Sequence, residues 1–388
     1  MSGLSERRYD LDWLRIAAFG LLIFYHIGMF FVSWDWHVKS AHAGPALQPL
    51  MLLTNPWRLA LLFLIAGCAT RFMTDRTDRL PMLKSRSLRL LLPLIFGMLV
   101  IVPPQTYAEI VEKLGYAEGW LAFYGQYLTF YDGWKIKGQA LIVPTWNHLW
   151  FVAYLWVYTM IVIALRPILH ALPMRGVAAL FRQPLVLLLL PPVFVGLLRL
   201  TLRPVFGETH ALLDDWYLHA LYMAMFLFGY GIAKHDGTWL AIERLRWIAL
   251  GLAVIAYVVM IWAVLTDLGG KLRPFVWAAD QWMWILALLG FSYRWLRQGR
   301  LTDSPTRRYL TDAIFPFYII HQTVIVMVGH TLTPLGLPAW AEGVILIAVT
   351  AAACVSGYEI VRHISWLRPL FGLRLDTLPK RPAALQAG

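Results

Sequence analysis

Ten apolar runs, each about twenty residues long, recur from one end of this chain to the other, and nothing else in it restricts the fold as strongly. They lie at roughly 14–33, 56–73, 88–105, 147–168, 184–202, 214–233, 247–266, 274–295, 312–332 and 340–361. A run of that length crosses the hydrocarbon core of a bilayer as a helix. The sequence therefore predicts an all-α fold: a polytopic transmembrane helix bundle of about ten spans, with the lipid bilayer as its first partner. Trp34, Trp36, Trp57, Trp146 and Trp295 sit near span ends, where amphipathic rings settle at the membrane–water boundary.

Charge placement orients the bundle. With the N-terminal tail and every second loop assigned to the inside, 25 of the 34 Lys and Arg residues fall there and nine fall outside. That excess is the positive-inside bias, and it predicts both termini in the cytoplasm. It also accounts for the net charge of +12, so nucleic acid is not expected as a partner. Hydrophobic residues make up 59% of the chain and charged residues 14%, against about a half and a quarter in soluble domains. Because the apolar runs are spread throughout, one membrane domain over 1–378 is expected, with 379–388 a disordered cytoplasmic tail. The first span is too long for a signal peptide and carries His26 in its middle. The segment 106–146 mixes acids, lysines and aromatics and reads as an ordered cap or re-entrant element. Cys68 and Cys354 both fall inside spans. They form neither a disulfide framework nor a zinc pattern, and no metal is expected.

Ionisable residues inside a membrane are costly and mark function more often than chance. His26, in Phe24-Tyr25-His26-Ile27, is the clearest. Arg15 precedes it by eleven positions, which returns to within about 20° on a helix and spans roughly 16 Å, so the two share a face. Asp12 joins that stripe. Lys84-Ser85-Arg86-Ser87-Leu88-Arg89 opens the third span on the inside. Arg86 and Arg89 project from one side of the helix, and guanidinium forks suit phosphate. Ordinary positive-inside charge is the competing account. His321 follows Pro316 in mid-span, where interrupted backbone is tolerated if it lines a cavity. It either faces that cavity or packs with Gln322 as partner. On the outside, Glu208, His210, Asp214, Asp215 and His219 crowd the start of the sixth span, and His148 opens the fourth. Carboxylates beside aromatics often hold sugars, and they are equally common at membrane interfaces.

Taken in order, these segments resemble the acyltransferase 3 family. Arg15 with His26 matches its Arg/Lys-ten-His spacing, and Arg86-x-x-Arg89 matches its Arg-x-x-Arg motif. Leu64-Ile65-Ala66-Gly67 is similar to its Ser-Gly segment, with Ala in place of Ser. His148-Leu149-Trp150-Phe151 and Tyr318-Ile319-Ile320-His321-Gln322 also resemble family landmarks. The resemblance runs from about residue 8 to about 375. Leu11-Asp12-Trp13-Leu14-Arg15 and Leu367-Arg368-Pro369-Leu370-Phe371-Gly372 are most similar to the family's glucan-biosynthesis branch.

The resemblance implies an O-acyltransferase of the bacterial inner membrane. Acyl-CoA, succinyl-CoA for that branch, would be the cytoplasmic donor, and a periplasmic glucan or other extracytoplasmic glycan the acceptor. No tightly bound cofactor is implied. In this scheme His26 is the general base and Arg15 assists at the thioester. Arg86 and Arg89 dock the CoA phosphates, while His321, His148, Asp214, Asp215 and Glu208 are candidates for substrate contact. Direct transfer through a pore-like cavity is expected, because no Ser-His-Asp arrangement is visible. A proton-coupled transporter of a small organic solute is the alternative, since transporters also use mid-membrane histidines and broken helices. Inverted repeats and intramembrane carboxylates would favour it, and neither is clear here. A non-catalytic scaffold would not need Arg15 and His26 on one face.

Overall fold

The computed structural model describes residues 8–171, 176, 179–266, 270–297 and 304–375; the expected tail at 379–388 lies outside them. Among the described residues, nine helical stretches are long and apolar enough to cross a membrane. The tenth expected span, 214–233, is a helix over Trp216–Ile232, whose 17 residues rise about 26 Å, near the lower limit for crossing. The fold is an all-α polytopic bundle, and its only strands among the described residues are the two-residue pair Lys135–Ile136 and Gln139–Ala140.

The elements used below are α1 (Tyr9–Phe31), α2 (Gln48–Thr54), α3 (Arg58–Thr74), α4 (Arg79–Phe96), α5 (Pro103–Leu114), α6 (Trp120–Leu128), α7 (Trp150–Ala164), α8 (Pro184–Thr201), α9 (Trp216–Ile232), α10 (Asp236–Leu265), α11 (Arg273–Leu296), α12 (Pro305–Leu332) and α13 (Ala339–His363). Helix α1 is central and packs against α3, α11, α12 and α13. On the periphery, α10 turns Trp247, Ile248, Ile255, Val258 and Trp262 outward, as a lipid-facing surface requires.

Local chemistry sets the helix ends. Ser304 caps α12 by accepting a hydrogen bond from the Arg307 amide at 3.2 Å, with Pro305 at the first helical position. The outer end of α1 is closed by Lys39, whose Nζ donates to the carbonyls of Met29 and Val32 at 2.6 and 2.7 Å. Helices α3 and α9 approach closely at a pair of glycines. A Cβ on Gly67 would overlap the Phe226 carbonyl, and one on Gly229 would overlap the Leu64 carbonyl. Small residues let membrane helices meet at backbone distance. The Cys68 thiol uses that proximity to donate to the Gly229 carbonyl at 3.1 Å.

The third span is interrupted by a π-helical turn at Gly97–Ile101, followed by Pro103. Its carbonyls find other donors: the Tyr127 hydroxyl for Met98 (2.8 Å), Tyr124 for Leu99 (2.9 Å) and Thr323 for Ile101 (2.7 Å). Beyond it, α5, α6 and the short hairpin form the ordered cap expected at 106–146. The cap is built on Ile110, Phe123, Tyr127, Trp134 and Val143. Helix α12 runs through Pro316 without a break in its helical assignment.

Candidate functional site

The two ends of the described chain meet at the face that the charge rule assigns to the cytoplasm. There a cleft of about 520 Å³ is lined by Arg8, Arg15, Arg76, Arg86, Arg89 and Arg374, with Asp12 and Asp312 as its acidic members. Arg15 comes from α1, Arg86 and Arg89 from α4, and Arg374 from the segment after α13. Four of the residues singled out in the sequence, Asp12, Arg15, Arg86 and Arg89, therefore share one cleft, although two spans supply them. Arg89 is held by donation to the Gly372 carbonyl at 3.1 Å, which ties the C-terminal segment to α4. Arg15 Nη2 reaches the Thr311 carbonyl at 3.5 Å. Arg86 contacts Met73 Sδ at 2.9 Å, and its buried Nε has no hydrogen-bond partner. Below the cleft, fully buried Arg307 pairs with Asp12 at 2.8 Å and lies over the Tyr9 ring. Arg8 is already paired with buried Asp10 at 2.6 Å, but the remaining guanidinium groups still outnumber the two carboxylates, which suits an anion, and phosphate is the anion that guanidinium forks fit best.

The histidines gather deeper along α1. His26 Nδ1 lies 2.7 Å from His321 Nε2, and the two rings are within 7° of parallel. His321 Nδ1 lies 2.8 Å from the Tyr318 carbonyl and 3.2 Å from that of Phe317. A carbonyl only accepts, so His321 carries its hydrogen on Nδ1 and its Nε2 is bare. His26 must then donate from Nδ1, which leaves the lone pair on His26 Nε2. His321 is fully buried, whereas His26 is half-buried. His148 completes the group, its ring 5.2 Å from that of His321. Its Nε2 donates to the Ile319 carbonyl at 3.2 Å, and its buried Nδ1 has no partner. Thus His148, which the sequence places at the span's outer opening, is drawn inward beside the two mid-span histidines.

A polar network leads outward from this cluster. Gln322 donates to His37 Nε2 (3.1 Å) and to the Gln105 side-chain oxygen (3.0 Å), and His37 Nδ1 donates to Glu109 at 2.5 Å. Asp35, on the same loop as His37, feels burial that would raise its pKa, but hydrogen bonds from Lys137 and Lys113 overcome this and hold it below the usual range. Trp36 lies against His26, ring centroids 6.4 Å apart at 25°. His37 and Glu109 were not among the sequence candidates. Their only local signal is a His inside the aromatic run Trp34-Asp35-Trp36-His37, opposite an acidic cap.

The outer carboxylates stand elsewhere. Asp215 is fully buried at the start of α9, where its Oδ2 accepts from the Tyr154 hydroxyl (2.8 Å) and the His210 amide (2.9 Å). Burial lowers the pKa of the neighbouring His210 ring. Glu208 pairs with Arg203 at 2.7 Å on the surface, and Asp214 is exposed. Among the described residues no hydrogen bond or ring contact joins these three to His26, His148 or His321.

A pore-like cavity of the kind expected from the sequence would have to join the arginine cleft to the histidine cluster past a group of aromatic rings. Phe19 and Phe151 line the cleft. Phe19 meets Phe151 and Tyr318 with centroids 6.1 and 5.3 Å away, and Phe63 backs Phe151 at 4.5 Å. These four aromatic rings pack together between the cleft and the histidine cluster, which Tyr318 meets at His148 and His321, because an apolar bundle core closes around its largest side chains.

A stretch of 155 residues is 28% identical to glucans biosynthesis protein C of Escherichia coli K12, covering 40% of this chain and 38% of that protein. The same protein from strains SMS-3-5 and O1:K1 matches to the same extent. The match thus spans about two fifths of the length of these relatives. No solved structure matches the chain. The acyltransferase 3 family, described as an acyltransferase domain, matches residues 8–359. The histidine relay between α1 and α12, and Arg15, Arg86 and Arg89 of the basic cleft, lie within this domain-length match, and the chain belongs to the acyltransferase 3 family of multi-pass membrane acyltransferases.

Proposed function

We propose that this protein transfers an acyl group from cytoplasmic acyl-CoA to a hydroxyl of an extracytoplasmic glycan, across the bacterial inner membrane, with His26 as general base. The observation that carries this reading is the hydrogen-bond relay Tyr318 carbonyl–His321–His26, which leaves the lone pair on His26 Nε2. A neutral imidazole with a fixed bare nitrogen is what a general base requires.

The steps follow from the residues. The phosphates of the donor dock among Arg86, Arg89 and their neighbours, and the pantetheine arm enters past Phe19 and Phe151 toward His26. Arg15, at the inner end of the same face, steadies the donor on its way in. His26 Nε2 takes the proton of the acceptor hydroxyl as its oxygen attacks the thioester carbonyl. The C–S bond then breaks, and the CoA thiolate leaves with that proton. His321 holds the His26 ring in its tautomer, and His148 walls the site. No residue is acylated in this route. The catalytic unit is one membrane domain, and donor and acceptor are substrates, with no tightly bound cofactor.

The acceptor class rests on the relatives, whose name places them in glucan biosynthesis. A periplasmic glucan is the acceptor and succinyl the acyl group under this reading, with Asp214 and Glu208 available at the outer surface for sugar hydroxyls. Mass spectrometry of periplasmic glycans from cells with and without the protein tests it. An acyl mass increment that requires both the protein and His26 is the expected result; identical spectra sink the reading.

A further inference from the structure

Arg58 opens α3 on the outer side, and in the sequence it is simply one of nine outside cations. The structure buries it. Its side chain is 4% exposed, its Nε and Nη1 make no hydrogen bond, and among the described residues no carboxylate pairs with it. The contact it does make is with the face of Tyr25, 3.4 Å from guanidinium carbon to ring centroid. Tyr25 is itself pinned by Asn55, which donates to its hydroxyl at 2.5 Å. The next residue in the chain is His26, whose ring centroid is 6.0 Å from that of Tyr25. Arg58 also acts electrostatically on both His26 and Tyr222.

A guanidinium is charged at every working pH. Holding one inside a membrane bundle without an anion is costly, and one aromatic face offsets little of that cost. An intramembrane charge marks a functional site, and the ligand that complements a guanidinium is an anion. We propose that Arg58 is the anion-binding residue of the acyl-transfer site, receiving an anionic oxygen of the acyl donor beside His26. This rests on the acyl-transfer reading above. The oxygen has two possible sources: the oxyanion that develops on the thioester carbonyl during attack, or a carboxylate carried at the far end of the acyl chain. In the first case Arg58 stabilises the transition state; in the second it selects the donor.

The test compares wild type with Arg58→Gln and Arg58→Lys as the full chain in detergent, reading kcat and KM with acetyl-CoA and with succinyl-CoA, alongside Tm. Arg58→Gln is expected to keep or raise Tm, since it removes an uncompensated buried charge, while losing at least about tenfold in rate. Loss with both donors identifies the oxyanion, and loss confined to succinyl-CoA identifies the carboxylate. Arg58→Lys, which keeps the charge but not the fork, should fall between. Unchanged constants with both donors overturn the proposal, as does a lowered Tm with activity falling only in step with the folded fraction. If wild type transfers from neither donor, the acyl-transfer reading fails. The anion site is then judged by sodium succinate alone: a Tm rise in wild type that Arg58→Gln lacks upholds it, and equal responses overturn it.

Discussion

Nδ1 of His26 points at Nε2 of His321 across 2.7 Å, and because His321 must give its own hydrogen to a backbone carbonyl, the direction of that bond is fixed. One fully buried ring thereby decides which nitrogen of a half-buried ring is basic. His26→Ala is expected to lower transfer by about 10²–10⁴-fold, the usual contribution of a general base. His321→Ala leaves a base but frees its tautomer and orientation, so its loss should be smaller, about 10–100-fold, as for other ring-orienting partners. Steady-state rates for both variants check this. A His321→Ala loss as large as that of His26→Ala would move the base to His321.

Arg86 and Arg89 line the cleft, and under the proposed reading they hold the phosphates of the donor rather than its reacting end. Their contribution should be felt equally in ground and transition states, so Arg89→Ala should raise KM for acyl-CoA more than it lowers kcat. The sharper comparison is acyl-CoA against an acyl-pantetheine lacking the nucleotide phosphates. Wild type should prefer the full donor, and the Arg86→Ala/Arg89→Ala double variant should lose most of that preference. Undiminished discrimination in the double variant would reduce both residues to positive-inside charge.

The α3–α9 contact leaves no room for a side chain at Gly67, since an added Cβ would overlap the Phe226 carbonyl. Gly67→Ala must push two backbones apart. A cost of about 1–3 kcal/mol follows from overpacking of this kind, visible as a lower Tm in detergent. An unchanged Tm would mean that the helices separate freely.

Lys39 lies in the outer loop after α1, and burial pulls its ammonium down to about 8 from the ordinary value of 10.5. Between those pH values the unfolded chain binds a proton that the folded chain has released, so this group makes stability rise with pH through that window. Below it the cost of the buried charge is present in full. The Tm of wild type should therefore rise relative to that of Lys39→Met between pH 8 and pH 10.5. A pH-independent difference contradicts this account.

Much of this arrangement is legible in the sequence because it depends on local periodicity. The spans follow from apolar run length, and the shared face of Arg15 and His26 follows from eleven helical steps. The gathering of Arg15, Arg86 and Arg89 rests on inside charge, which any correct topology brings to one face. What the sequence hides is pairing between distant spans. Arg58 and Arg307 are counted among loop charges, yet both are buried, one against Tyr25 and the other against Asp12. The His37–Glu109 bond joins residues 72 positions apart, and no spacing rule reports it. Asp215 is legible as an acid near aromatics, but its hydrogen bonds to Tyr154 and His210 turn it inward. The π-turn at Gly97–Ile101 is equally silent, because the donors that allow it, Tyr124, Tyr127 and Thr323, come from other elements.

The four rings between Arg15 and His26 bear on bioenergetics as well as on acyl transfer. A chain that crosses a membrane separates two aqueous phases, and any continuous file of water through it would be a short circuit for ions. Phe19, Phe63 and Phe151 have no group with which to order water, and the single hydroxyl of Tyr318 is spent on the His148 carbonyl. The histidine relay also ends, on its inward side, at backbone carbonyls that pass no proton on. Under the proposed reading, a thioester arm that slips between these rings would reach His26 without opening a file of water, which would leave the membrane potential intact.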